Sequence, residues 1–88
     1  MSAVSGDAVQ DQIEQYIRTR FEVDASDTHF GVEVNLWDAG YIDSMGVLEM
    51  LAFLEKEFGV KIEQEHLFDP EFTKIRGIAS IVVGLMTA

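Results

Sequence analysis

Asp43 and Ser44 stand where a turn-rich stretch gives way to a long apolar-periodic segment. Gly40 precedes them and permits a tight backbone turn. Val47, Met50, Leu51, Leu54 and Phe58 follow at helical spacing. An Asp or Ser just before such a run is an N-cap signature. The same place exposes a hydroxyl where unpaired backbone N–H groups and the helix dipole favour an attached phosphate. Two readings therefore stand side by side: a plain helix cap, and a serine on which a group is covalently carried.

Little else in the chain offers chemistry. His29 and His66 are far apart, with no Cys or paired His at ligand spacing, so no metal site is expected. A Gly-x-Ser-x-Gly elbow is absent, and no acid, base and nucleophile set appears, which disfavours a small enzyme. Trp37 and Tyr41 read as anchors of a loop, with their polar tips near water, rather than as a ligand platform. Met50 and Met86 read as core filler. The chain has no cysteine, so any thioester chemistry needs a thiol brought by a cofactor.

The elements that must present Ser44 follow from periodicity. Residues 7–21 form a first helix, with Val9, Ile13, Tyr16, Ile17 and Phe21 on one side. Residues 22–43 lack a sustained period and hold many turn formers, so they form a long loop, pinned by Val32, Val34, Leu36 and Trp37. Residues 44–58 form the second helix, stopped by Gly59. Residues 60–72 are a loop with one short helical turn, edged by His66. Thr73 caps a last helix running to about residue 86, with Ile75, Ile78, Val82 and Leu85 as its stripe. Gly77 and Gly84 each weaken that helix by roughly 1 kcal/mol relative to Ala. The fold class is all-α: a small four-helix bundle, three main helices plus one short, with a long loop between the first two. The 88 residues make one domain, with residues 1–6 frayed.

Sixteen acidic residues against six basic ones give a net charge of −10. That charge is repelled by nucleic acid and by anionic membranes, and suits basic protein surfaces. It also opposes self-association, so a monomer is expected. No apolar run approaches a membrane span and no secretory signal is visible, so the expected location is the cytoplasm.

The run Trp37-Asp38-Ala39-Gly40-Tyr41-Ile42-Asp43-Ser44-Met45, followed by Glu49 and Leu54-Glu55-Lys56-Glu57-Phe58-Gly59-Val60, resembles the acyl carrier protein family. There an Asp-Ser-Leu-type motif opens the second helix and a Leu-Glu-x-x-Phe run closes it. The resemblance spans most of the chain. It implies that Ser44 is esterified with 4′-phosphopantetheine from coenzyme A, whose thiol carries an acyl or aminoacyl group. It implies that Asp43 helps the phosphopantetheinyl transferase and its metal engage. It further implies that Met45, Leu48, Glu49, Ala52 and Glu55 face loading enzymes and downstream transferases or synthases with basic docking surfaces. Gly46 stands where many fatty-acid carriers have a polar or acidic residue. The run through Gly46, with Phe68-Asp69 and Phe72, resembles freestanding carriers, including the D-alanyl type. Fatty-acid, polyketide, aminoacyl and D-alanyl cargoes stay open. The alternative is an unmodified acidic helical interaction module in which Asp43-Ser44 is only a cap.

Overall fold

The computed structural model describes residues 6–87. Four α-helices succeed one another: α1 (Gly6–Arg20), α2 (Ser44–Phe58), the single-turn α3 (Gln64–Leu67) and α4 (Ile75–Met86). Among the described residues there is no strand. The all-α class and the arrangement of three main helices with one short one are those expected. Of residues 1–6, expected to fray, 1–5 lie outside the described residues, and Gly6 belongs to α1.

The helices form because their apolar stripes need one another. α1 buries Val9, Ile13 and Ile17, and α4 buries Ile75, Ile78, Ala79 and Val82. These two helices make the main helix–helix packing of the bundle. α2 adds Met50 and Leu54 to the same core. Met50 is therefore core filler as read, while Met86 is half-buried at the core's edge.

The segment before α4 departs from expectation. Pro70–Thr73 form a 3-10 turn, not plain loop, opened by Asp69, whose Oδ1 accepts from the Glu71 N–H at 2.9 Å. Proline suits this start because it lacks an N–H that would go unpaired. The turn buries Phe72. Thr73 does not cap α4: its hydroxyl donates to the Pro70 carbonyl at 2.7 Å, closing the 3-10 turn. Lys74 is the N-cap residue and makes no side-chain cap bond.

Gly77 lets this turn sit on α4. A Cβ there would lie 1.8 Å from the Glu71 carbonyl oxygen, so only glycine permits the approach. Gly84 meets nothing within 4 Å. The two glycines expected to act alike therefore have different roles.

Candidate functional site

Ser44 is the first residue of α2 and is exposed. Asp43 is the N-cap: its Oδ1 accepts from the Gly46 N–H at 2.8 Å, and its carbonyl accepts from Val47 N–H at 3.0 Å. The aspartate thus does the capping and leaves the serine hydroxyl free of hydrogen bonds among the described residues. The N–H groups of Ser44 and Met45 are the orphan donors of the first turn.

The long loop holds this helix start in place through one backbone hub. Leu36 is buried; its N–H donates to the Thr73 carbonyl at 2.8 Å. Its own carbonyl accepts from Tyr41 N–H at 2.9 Å and from Ile42 N–H at 3.2 Å. Gly40, with φ of +82°, supplies the left-handed residue that this tight return requires. Ile42 is buried next, and Asp43 and Ser44 follow directly. Upstream, Asp27 gathers Tyr41 Oη at 2.7 Å and the backbone N–H groups of His29 and Phe30 at 2.9 and 3.2 Å. The Tyr41 hydroxyl is the leading cause holding the Asp27 carboxyl below its usual range.

The pins of the loop differ in part from those expected. Leu36 is buried and Val32 and Val34 are half-buried, as anticipated. Trp37 is instead 38 % exposed, and Phe30 and Ile42 take the core positions. In sequence, Phe30 between His29 and Gly31 and Ile42 between Tyr41 and Asp43 show no periodicity that marks them as core. Tyr41 does act as an anchor, edge-on to Phe30 and bonded to Asp27.

On α2, Met45 is 67 % and Leu48 60 % exposed, and Ala52 is exposed too. These apolar side chains stand out from one face of α2 and take no part in the core. Glu49 and Glu55, grouped with them in the sequence reading, are half-buried and engaged within the fold. Glu49 Oε1 is shielded from water, lacks an aligned hydrogen bond among the described residues, and is met by the Arg20 guanidinium of α1. Glu55 Oε2 accepts from the Ile62 N–H at 3.0 Å and ties the chain leaving α2 back onto the helix. Phe68, at 77 % exposure after α3, and Leu67 beside it are further outward apolar groups.

Gly46 faces inward. A Cβ at this position would lie 2.7 Å from Phe21 Cε1 and 3.3 Å from the Asp43 cap oxygen. The bare backbone at residue 46 thus lets the end of α1 close against the turn that bears the serine.

Residues 11–82 match the family described as the phosphopantetheine attachment site, and the chain belongs to that family. No curated protein matches it. A domain of this family is where 4′-phosphopantetheine is attached; it is a carrier, generally non-catalytic, that interacts with modifying and loading enzymes. The residues present fit such a group: an exposed, unengaged hydroxyl stands beside two orphan N–H donors at a helix N-terminus, where a phosphodiester is favoured. No helix among the described residues is long and apolar enough to cross a membrane, and no cluster of His, Cys, Asp and Glu among them forms a metal site.

Proposed function

We propose that Ser44 is the attachment residue and that the protein carries acyl or aminoacyl groups between biosynthetic enzymes. The observation that carries this reading is the division of labour at the helix start. Asp43 makes the cap bond, so Ser44 Oγ has no hydrogen bond among the described residues and projects from a capped first turn. When bound, the arm supplies a terminal thiol that holds its cargo as a thioester. Ser44 contributes the ester oxygen, and the orphan N–H groups of the first turn favour the phosphate charge. The Asp43 carboxylate lies beside that charge and repels it, so its negative charge serves the transferase and its metal rather than the finished product.

In this reading Met45, Leu48 and Ala52 form the apolar centre of the face that meets the phosphopantetheinyl transferase and the loading enzymes. Glu49 and Glu55 flank it. Their charge adds to an acidic surface that speeds encounter with basic partners more than it tightens them, which suits a carrier that must leave each enzyme.

The test is intact mass after incubation with coenzyme A, magnesium and a broad-specificity phosphopantetheinyl transferase. Wild type gains one phosphopantetheinyl unit and Ser44→Ala gains none while staying folded. A folded wild type that gains nothing would make Ser44 an ordinary first-turn residue.

A further inference from the structure

The seam between α1 and α2 runs antiparallel and can be followed rung by rung. The Phe21 ring lies where a Gly46 side chain would go, Arg20 meets Glu49, and Tyr16 stacks on Phe53 with centroids 4.0 Å apart and planes 8° from parallel. Beyond that stack, on the outer side of the seam, lies an open groove of about 630 Å3, floored by Tyr16 and Phe53. Gln15 lines one side, Arg20 closes one end, and Asp11 and Glu57 lie toward the other.

Three observations restrict what fits there. Phe53 is nine residues after Ser44, which places it about 180° round the helix and roughly 14 Å along it. The groove is thus on the side of α2 opposite the serine, and an arm leaving Ser44 points away from it. The charge is also one-sided. Arg20 is the only cation lining the groove and is paired with Glu49, whereas neither Asp11 nor Glu57 has an ion pair among the described residues. A second copy of this chain, with net charge −10 and the same acidic lining, is therefore repelled. Finally, the stretch from Asp11 to Arg20 is about 14 Å long, between two and three helical turns. An apolar floor of that length with an acidic end is the complement of a short amphipathic helix carrying Lys or Arg beside its apolar stripe.

We propose that the α1–α2 groove is a second docking surface, which seats a basic amphipathic helix of an enzyme that works on the arm. The inference rests on the carrier reading of Ser44 and deepens it. A partner held in the groove leaves Ser44 and the outward face of Met45 and Leu48 free, so the carrier can be tethered while its arm visits an active site. Tethering raises the effective concentration of the arm without any added contact at the serine.

The experiment uses the phosphopantetheinylated protein. It is titrated with a 14-residue Leu/Lys peptide spaced for an amphipathic helix, and with a scrambled peptide of the same composition. Amide and aromatic NMR shifts and calorimetric affinity are recorded. The amphipathic peptide is expected to shift Tyr16, Phe53 and Glu57, to leave Met45 and Leu48 unmoved, and to bind at least tenfold more tightly than the scrambled one. Asp11→Asn with Glu57→Gln, both exposed and outside the core, should reduce its affinity at least tenfold. Equal binding of both peptides, shifts centred on Met45 and Leu48, or an unchanged affinity in the double variant each overturn the groove assignment. The mass gain that prepares the sample reports the carrier reading separately: its absence in wild type refutes that reading, whereas a loaded protein that ignores the peptide refutes only the groove.

Discussion

Asp43 caps α2, and the proposed function gives its charge a second job in modification; substitution distinguishes the two. Its Oδ1 accepts the Gly46 N–H at 2.8 Å, and its charge stands next to Ser44. Asp43→Ala removes both. Loss of an N-cap costs about 1 kcal/mol, within a range of roughly 0.5–2. For a domain of this size that lowers Tm by about 4–8 °C. Asp43→Asn keeps a side-chain oxygen in the same place, and Asn caps about as well as Asp. Thermal unfolding of Asp43→Asn should therefore fall within about 0.5 kcal/mol of wild type, while its rate of phosphopantetheine loading falls towards that of Asp43→Ala. Ser44→Ala, which breaks no hydrogen bond, should unfold like wild type. The reasoning fails if Asp43→Asn is destabilised as much as Asp43→Ala, because the cap would then not be what the side chain provides. It fails equally if Asp43→Asn loads at the wild-type rate, because the charge would have no part in modification.

Gly77→Ala should lose about 2 kcal/mol or more in denaturant unfolding, since the new methyl meets the Glu71 backbone and overpacking outweighs the helix-propensity gain. Gly84→Ala, in open space within the same helix, should gain roughly 0.5–1 kcal/mol. The Asp27 carboxyl is held below its ordinary range, chiefly by the Tyr41 hydroxyl. Its contribution to stability is therefore full above the unfolded Asp value of about 4 and is lost as pH falls through the lower folded value. Tyr41→Phe should flatten that acid limb in a pH series of unfolding curves; an unaltered limb would show that the bond to Asp27 does not persist in solution. Breaking the Arg20–Glu49 pair with Glu49→Gln should move stability by under about 1 kcal/mol, because both side chains are partly exposed.

Much of the fold was legible because periodicity reports burial directly. Ile13, Ile17, Met50, Leu54, Ile78 and Val82 recur at helical spacing and are buried. α2 spans the residues read from the sequence, since Asp43 and Gly59 are strong local signals whose physics is contained within a turn. The departures come where structure depends on distant partners. Thr73 has the chemistry of a cap but spends its hydroxyl on Pro70, a choice fixed by the 3-10 turn and invisible to local propensity. Gly77 resembles Gly84 in sequence; only the approach of Glu71 distinguishes them. Glu49 and Glu55, expected from the resemblance to face partner enzymes, are engaged within the fold by the Arg20 side chain and the Ile62 amide, which lie far off in sequence or beyond the helix end. The position of Ser44 at the start of α2 needed only neighbouring residues, and that is why it was readable.

The backbone hub at Leu36 divides the long loop into a part whose length is free and a part whose length is fixed. From Leu36 to Ser44 the chain is held at both ends by the Thr73 contact and by the capped helix, with two N–H groups of the return folded onto a single carbonyl. An extra residue there would break the bonds that fold the return, in which Asn35 Oδ1 accepts from the Trp37 and Asp38 N–H groups and the Asn35 carbonyl from Ala39 N–H, or would displace the serine. Ala25, in contrast, is exposed on an Asp24–Ser26 turn upstream of the hub. Additional residues at that tip would emerge into solvent and leave the hub untouched. The protein therefore has a ready site for a graft or label near residue 25, and a gauge-like segment, its length set by its own hydrogen bonds, just before Ser44.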